Sequence, residues 1–343
     1  IRPSPRPAHM PERGRMPRRS PSRTASWQSW LASSATGVPL LGSVSAALRD
    51  RIGEASGALI EYRVGAFELL LPLDHALPRF QGAHPLYDTS LGRLAALVHR
   101  KYPQSSIVDV GANVGDTAAL IRSSCPAPLL CIEGSARFFA LLQINAQRLG
   151  ERVILEHAMV GGEEGTTGAT LRERAGTATL VRSTSKTTWL VALDQILERH
   201  PELPAPKLVK IDTDGQDCPI VEGSMTLWDR VRPVLFFEYD PAFHEDWSPL
   251  PMWNGLREAG YERVLVFENT GPYAHSLDLG DRVGLEDLHL AFSGHGGGRY
   301  ADVAVFRGED ADLAGEFRLG ELRAAMALRQ HPWPRWVGTE LLG

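Results

Sequence analysis

The sequence has no apolar run of 18 residues and no charged segment that leads into a short apolar one. A bilayer-spanning helix needs about 20 apolar residues, and a secretory signal needs the second pattern. We therefore expect a cytoplasmic protein without membrane contact. Cysteine is also scarce. The three cysteines, Cys125, Cys131 and Cys218, are an odd number without metal-ligand spacing, so we expect buried thiols rather than disulfides or a zinc site.

Charge is unevenly divided between the N-terminal segment and the rest of the chain. The net charge is −5, but residues 1–26 hold seven Arg and one Glu, so residues 27–343 carry −11. An acidic body does not favour a polyanion, and we expect no nucleic-acid partner. Residues 1–26 also hold six Pro and almost no large apolar side chain, which predicts a disordered tail. His9 and Met10 are compatible with the remnant of an expression tag.

A strand, a tight turn and a helix are predicted around residues 106–122. The apolar run from Ser106 ends in Asp109 and Val110, and a Gly-x-x-x-Gly turn follows, with glycines at Gly111 and Gly115. Gly111 lets the chain fold back, Gly115 lets a ligand approach the backbone, and the helix start offers N–H donors. The dinucleotide fingerprint would need glycine at position 113. The turn therefore predicts a different nucleotide-cofactor site, with an ordinary strand-to-helix turn as the alternative.

An acidic residue ends the next predicted strand. Glu133 lies 24 residues beyond Asp109 and could accept hydrogen bonds from both hydroxyls of a ribose. The turn and this acid together resemble class I S-adenosylmethionine-dependent methyltransferases. The cofactor-binding residues predicted on this basis are Asp109, Gly111, Ala112, Asn113, Gly115, Glu133, Gly134, Ser135, Ala158 and Asp212.

Four parts are expected along the chain. They are the tail (1–26), an N-terminal helical and hairpin extension (27–100), a methyltransferase domain (101–318) and a C-terminal helix and tail (319–343). From Ser105 onward predicted strands and helices alternate, which is typical of a parallel sheet covered on both faces. Residues 161–186 are expected to form a polar hairpin or mobile loop, and residues 293–298 a lid. His75 and His84 are interpreted as surface residues.

Several motifs resemble the FkbM family of methyltransferases over residues 58–318. They lie at residues 109–116, 188–196, 208–215, 236–238 and 267–271, and the most specific is Lys-x-Asp-x-x-Gly at Lys210, Asp212 and Gly215. Where the family commonly has Glu, this chain has the shorter Asp214. The resemblance implies a Rossmann-like α/β sandwich with a mostly parallel seven-stranded sheet. It also implies S-adenosylmethionine as methyl donor and, usually, O-methylation of a natural product.

Candidate catalytic residues follow the carboxyl ends of strands, where an open parallel sheet forms its crevice. Methyl transfer needs nucleophile, carbon and sulfur in line, and an alcohol must also lose a proton. We predict Asp212 as the base, with Lys210 and Glu238 setting its charge; alternatively, Asp212 binds the cofactor or caps the next helix. His244 is a second candidate base. A less favoured alternative is a Mg²⁺ site, whose ligands would be Asp212, Asp214, Glu238 and His244.

The predicted function is O-methylation of a hydroxyl on a small molecule, such as a sugar, a nucleoside or a polyketide. A methyltransferase acting on a nucleic-acid base usually has Asn or Asp followed by Pro-Pro and an aromatic residue after strand four, whereas this chain continues from Asp212 into Thr213. A non-catalytic scaffold would predict a damaged glycine turn or a missing ribose acid, and both are intact. Trp247 and Trp253 are candidate walls of the acceptor pocket. A monomer and a homo-oligomer both stay open.

Overall fold

The chain between residues 57 and 328 folds around one large β-sheet. The computed structural model describes residues 57–243, 247–293 and 299–328. The predictions for the tail, for the helical part of the extension, for His244 and for residues 294–298 of the lid lie outside the described residues. Within them, no helix is long and apolar enough to cross a bilayer.

The strands and helices alternate as the sequence pattern predicts. The strands are β1 (Leu59–Val64), β2 (Phe67–Pro72), β3 (Ser106–Val110), β4 (Leu129–Glu133), β5 (Val153–His157), β6 (Val160–Gly161), β7 (Gly165–Thr167), β8 (Ala169–Arg174), β9 (Thr177–Arg182), β10 (Thr188–Ala192), β11 (Pro206–Ile211), β12 (Val234–Tyr239), β13 (Tyr261–Glu268), β14 (Tyr273–Asp278) and β15 (Ala301–Arg307). The helices are α1 (Leu77–Ala83), α2 (Thr89–Lys101), α3 (Asp116–Ser124), α4 (Ala136–Leu149), α5 (Leu193–Glu198), α6 (Asp217–Gly223), α7 (Met225–Val231), α8 (Leu250–Glu258), α9 (Arg282–Phe292) and α10 (Ala311–Leu328).

Eight strands form the central sheet in the order β14-β13-β15-β12-β11-β3-β4-β5. Strands β5, β4, β3, β11 and β12 are parallel, whereas β15 lies antiparallel between β12 and β13. The chain order therefore reverses between β3 and β11, which is the switch point of a doubly wound sheet. The predicted α/β fold class is confirmed. The seven predicted strands are present, and β14 adds an eighth at the edge.

Both faces of the sheet are buried because each central strand alternates apolar side chains between two cores. On β3, Ile107 belongs to the core that includes α2, α3 and α10, whereas Val108 and Val110 belong to the core that includes α6, α8 and α9. Continuous apolar strands are the expected result when helices cover both faces. The charged residues of these strands are therefore exceptions that need another explanation.

The N-terminal hairpin β1–β2 is fastened to the domain by one buried amide. Asn145 of α4 accepts a hydrogen bond from the Leu70 N–H at 2.8 Å and donates to the carbonyls of Leu70 at 3.0 Å and Val114 at 2.8 Å. Its side chain is fully buried, so these three bonds offset the cost of burying it. The hairpin is thereby held beside the turn that follows β3.

Two details refine the sequence expectations. Residues 161–186 form short strands and the hairpin β8–β9, which is the hairpin alternative of the prediction. The boundary expected after residue 318 falls inside α10. Phe317 of that helix lies 5.6 Å from Phe267 and 6.2 Å from Phe306 between ring centroids, so α10 packs on the sheet.

Candidate active site

A first cavity opens beyond the carboxyl ends of β3, β4 and β5, with an empty volume of about 520 Å³. It lies at the switch point of the sheet, where doubly wound folds bind their ligands. The hairpin β8–β9 covers it. The residues that line it are Val110, Gly111, Asn113, Ile132, Glu133, Gly134, Ser135, Phe138, Ala158, Met159, Val160, Leu171, Ala178, Leu180, Asp212, Thr213, Asp214 and Gln216.

Glu133 is held rigidly at the wall of this cavity. Its Oε2 accepts the Asn113 N–H at 2.8 Å, and its Oε1 accepts the Ser135 N–H at 2.6 Å. Burial raises the pKa of Glu133 to about 7, although these two donors work in the opposite direction. Each oxygen keeps a second lone pair that can accept a further hydrogen bond. The carboxylate is therefore oriented to receive two hydroxyl groups, as a ribose would offer.

Apolar side chains form the rest of this cavity. Ile132, Phe138, Met159, Leu171 and Leu180 line it, the last two from the hairpin. An aromatic base would bury its faces against such walls, with Glu133 at the ribose end. The Glu133 carboxylate and the apolar walls therefore fit the nucleoside part of S-adenosylmethionine.

Gly111 turns the chain at the floor of the cavity. Its φ is +75°, and a Cβ atom there would lie 1.7 Å from the carbonyl oxygen of Asp212. Only glycine permits both this conformation and so close an approach of the ends of β3 and β11. The role of Gly111 as the turning residue is therefore clear from the structure.

Three of the predicted cofactor residues do not line either of the two cavities described for this site. Asp109 is fully buried, where it accepts a hydrogen bond from the Thr117 hydroxyl at 2.6 Å. Ala112 is also fully buried, and a Cβ atom at Gly115 would meet a methyl group of Leu142 at 3.0 Å. These residues lie one layer below the cavities, and their contact with the cofactor stays a prediction. They shape the turn.

The backbone donors of the turn are also engaged. The N–H groups of Gly111 and Ala112 donate to the Ile132 carbonyl, that of Asn113 donates to Glu133, and that of Gly115 donates to the Ala112 carbonyl. The predicted donors are the N–H groups at the start of α3, which are not among these four, and their role stays a prediction. The four donors of the turn fix its shape and the orientation of Glu133.

Lys210 ties the two halves of the sheet together. Its Nζ lies 3.0 Å from Asp109 Oδ1 and 3.4 Å from Asp212 Oδ2, and it donates to the Gly111 carbonyl at 2.8 Å. Burial alone would lower the pKa of Lys210, but the carboxylates of Asp109 and Asp212 raise it above its ordinary value. Lys210 is therefore a permanent cation, and it cannot act as a base at neutral pH.

Asp217, rather than Asp212, fixes the loop after β11. Its carboxylate accepts the N–H groups of Thr213 at 2.7 Å and Gly215 at 3.1 Å. The alternative in which Asp212 caps the next helix is therefore wrong. The Asp212 side chain is 45% exposed and points from the same loop to the cavity edge, beside Lys210.

A second cavity adjoins the first and has an empty volume of about 770 Å³. Its lining comes from the segment before α2, the tip of the β8–β9 hairpin and the ends of β11, β12 and β15. The residues are His75, Ala76, Leu77, Phe80, Tyr87, Asp88, Gly111, Asn113, Asp116, Thr117, Ala175, Gly176, Thr177, Lys210, Asp212, Asp214, Glu238, Tyr300 and Asp302. The two cavities share Gly111, Asn113, Asp212 and Asp214, so they meet at the switch point.

The second cavity is strongly acidic. Burial, and after it the carboxyls of Asp212 and Asp217, raises the pKa of Asp214 to about 7. Burial and the carboxyls of Asp212, Asp217 and Asp214 raise the pKa of Glu238 well above its ordinary value. Burial and Asp212 raise the pKa of Asp302 to about 8. In the absence of a ligand, these carboxyls therefore hold protons near neutral pH.

Left-handed backbone conformations concentrate around the second cavity. Five non-glycine residues in the described chain have a positive φ, and four of them, Asp88, Asn113, Ala175 and Asp214, line this cavity. Such conformations are costly for residues with a side chain and cluster at functional sites. The cavity is therefore a place where the fold maintains strain to position polar groups.

Two residues that line the second cavity were not predicted as site residues from the sequence. His75 was interpreted as a surface residue, but it is 5% exposed, and its Nδ1 accepts the Leu77 N–H at 3.2 Å. Burial lowers the pKa of His75, which keeps the ring neutral. Asp302 was not singled out either, although an acid between apolar residues of a buried strand signals an unusual environment. The same signal is present at Asp109, Lys210 and Glu238.

The remaining site predictions have mixed outcomes. Asp212, Lys210 and Glu238 lie together at the second cavity, while His244 lies outside the described residues. In the described residues, no group of three candidate ligands could hold a metal ion. Trp253 is almost fully buried in the core, and neither it nor Trp247 lines the two cavities, so the prediction that they wall the acceptor pocket is wrong.

The strand order and the acid at the end of β4 match those of a class I methyltransferase that uses S-adenosylmethionine. The sequence model of the family described as Methyltransferase FkbM domain matches residues 109–263. The match confirms, over this segment, the resemblance carried by the motifs.

Solved structures with a similar chain course are also methyltransferases. One is a methyltransferase FkbM from Methylobacillus flagellatus (13% identity, 71% of this chain and 55% of that chain, TM-score 0.33). Another is a putative O-methyltransferase from Klebsiella pneumoniae (15% identity, 82% and 96%, TM-score 0.36). A third is a precorrin-6y C5,15-methyltransferase from Geobacter metallireducens (12% identity, 60% and 80%, TM-score 0.32). No curated protein matches the chain significantly. The fold assignment rests on the strand order rather than on these similarities.

Proposed function

We propose that this methyltransferase transfers a methyl group to a hydroxyl of a small molecule bound in the second cavity. The observation that carries the proposal is the junction of the two cavities at Gly111, Asn113, Asp212 and Asp214. A cofactor in the first cavity and an acceptor in the second would meet there. Methyl transfer depends chiefly on such alignment.

Asp212 is the proposed base. S-adenosylmethionine supplies a methyl group on a sulfonium, so the protein has to remove only the hydroxyl proton of the acceptor. The Asp212 side chain lies at the junction and is half exposed, and its Oδ2 lies 3.4 Å from the Lys210 ammonium. Lys210 cannot be the base because it stays protonated. Glu238 is less suited because its raised pKa leaves it protonated before a ligand binds.

The shape and charge of the second cavity support a small acceptor. Its lining comes from several parts of the chain that converge on one concave site, which is typical of small-molecule sites. An acidic cavity whose one lysine is already paired does not favour the phosphates of a nucleic acid. A sugar, a nucleoside or a polyketide hydroxyl fits this description, and O-methylation in natural product biosynthesis is the corresponding role.

The proposal is tested by measuring S-adenosylhomocysteine release with a panel of sugars, nucleosides and polyketide alcohols. Asp212→Asn should lower turnover of the accepted substrate by about 10²–10⁴-fold, the usual contribution of a general base. The affinity for S-adenosylhomocysteine should stay within a factor of three. Asp229→Asn, at an exposed position of α7, is the control and should leave both quantities unchanged.

Two outcomes would contradict the proposal in different ways. Unchanged turnover in Asp212→Asn would remove Asp212 from the role of base while leaving the reaction intact. Methylation confined to nitrogen or carbon atoms across the whole panel would contradict O-methylation itself.

A further inference from the structure

Two carboxyl groups face each other in the second cavity without a partner. Glu238 of β12 and Asp302 of β15 are directly paired across the two antiparallel strands, and both line the cavity. Glu238 is only 6% exposed. Within the described chain, neither side chain has a hydrogen bond or an ion pair. Like charges in this position repel one another, and a buried carboxylate without a partner is costly.

The cations of the cavity do not compensate this pair. The charge of Lys210 is already shared by Asp109 and Asp212. His75 is kept neutral by burial. The other titratable groups facing the cavity are Tyr87, Asp88, Asp116, Asp214 and Tyr300, and none of them supplies a positive charge. The cavity therefore has an excess of acid that a cationic ligand would balance.

The cofactor does not remove this excess. S-adenosylmethionine has a sulfonium and an ammonium but also a carboxylate, so it brings a single net positive charge. Five carboxyls besides Asp212 line the cavity: Asp88, Asp116, Asp214, Glu238 and Asp302. A further cation is therefore favoured beside the cofactor.

Part of the cavity wall is aromatic. Phe80 and Tyr87 stack with their ring centroids 5.3 Å apart and their planes at 21°, and Tyr300 also lines the space. An ammonium group is attracted to the faces of such rings as well as to carboxylates. Carbon-bound hydrogens of a sugar or a cyclic alcohol would pack on the same surface.

We propose that the acceptor is an amino alcohol or amino sugar whose protonated amine binds between Glu238 and Asp302 while its hydroxyl lies beside Asp212. This inference rests on the proposed function and specifies its substrate class. The new bond joins the methyl carbon to the hydroxyl oxygen, and the carbon–sulfur bond breaks with its electron pair remaining on sulfur. The hydroxyl proton passes to Asp212. The amine has no lone pair while it is protonated, so the methyl group goes to oxygen.

The test uses the full chain saturated with S-adenosylhomocysteine and calorimetric titration of matched ligands. Glucosamine is compared with N-acetylglucosamine, and 2-aminocyclohexanol with 1,2-cyclohexanediol. At least one amine should bind tenfold or more tightly than its neutral counterpart. At pH 6.5 that binding should release protons, because the amine displaces protons held by the carboxyls. Proton release is measured by repeating the titration in buffers of different ionisation enthalpy.

Amino-acid substitutions test whether Glu238 and Asp302 are the residues that bind the amine. Glu238→Gln and Asp302→Asn should each weaken amine binding at least tenfold and reduce proton release, with little change for the neutral ligands. Asp278→Asn is the matched control, because this exposed residue of β14 pairs with Arg263 and does not line the second cavity. Both cavity variants should melt no lower than the parent, since each removes an unpaired acid.

The outcomes separate this inference from the proposed function. If the protein binds S-adenosylhomocysteine but binds each amine no better than its neutral counterpart, the inference is wrong and the proposed function is not affected. The same holds if it binds neither ligand of a pair detectably. Equal loss of binding for amine and neutral ligands in Glu238→Gln also overturns the inference, because it would indicate a structural role. Failure to bind S-adenosylhomocysteine would instead contradict the proposed function.

Discussion

Lys210→Met should destabilise the protein far more than an ordinary lysine substitution. Lys210 is 2% exposed, and its ammonium lies 3.0 Å from Asp109, which is fully buried. Removing one partner of a buried ion pair costs about 3–5 kcal/mol, because the other charge is left without compensation. That is a large part of the roughly 5–15 kcal/mol that stabilises a typical domain.

The double variant Lys210→Met with Asp109→Asn should recover more than half of this loss. It removes the stranded charge, and the amide oxygen can still accept the Thr117 hydroxyl. Urea unfolding followed by circular dichroism gives the free energies of unfolding. Lys186→Met, at an exposed position, is the control and should change stability by less than about 0.5 kcal/mol. A loss below about 1 kcal/mol for Lys210→Met, or a double variant less stable than the single one, would refute the reasoning.

Two further predictions concern stability. Gly111→Ala should cost about 2–5 kcal/mol, the sum of left-handed strain and overpacking against the Asp212 carbonyl. In the same urea assay Gly320→Ala, in open space on α10, should be neutral or slightly stabilising, and equal stability of both variants would contradict this. In the folded protein, burial and neighbouring carboxyls raise the pKa of Asp214 to about 7 and that of Asp302 to about 8, above the values in an unfolded chain. Between pH 4 and 8 the folded protein therefore binds more protons than the unfolded chain does. The free energy of unfolding without ligand should therefore fall from pH 5.5 to pH 8, and a rise would contradict this assignment.

The apolar periodicity of the sequence was sufficient to predict most of the fold. Buried runs such as residues 106–110 and 234–239 are apolar on both faces, which indicates central parallel strands. Strand β14 was missed because residues 273–278 have no regular alternation of polar and apolar side chains and lie, mostly outside the core, at a sheet edge. The turn at Gly111 was predicted because its left-handed backbone conformation depends on the local sequence.

The acceptor side of the site could not be predicted in the same way. Glu238 and Asp302 are 64 residues apart, and they become neighbours only through the antiparallel insertion of β15 between β12 and β13. His75 comes from the N-terminal extension, whose position depends on the hydrogen bonds of Asn145. Such contacts follow from topology and packing, for which a single sequence has no local signal.

The claim that the first cavity binds S-adenosylmethionine through Glu133 is tested most directly by titrating the protein with S-adenosylhomocysteine in a calorimeter. The parent protein should bind, and Glu133→Gln should bind at least tenfold more weakly, because the amide replaces one acceptor oxygen with donors that face a backbone N–H. Glu258→Gln, on the exposed side of α8, should bind as the parent does. Absence of binding to the parent, or equal binding to Glu133→Gln in a folded variant, would contradict the account.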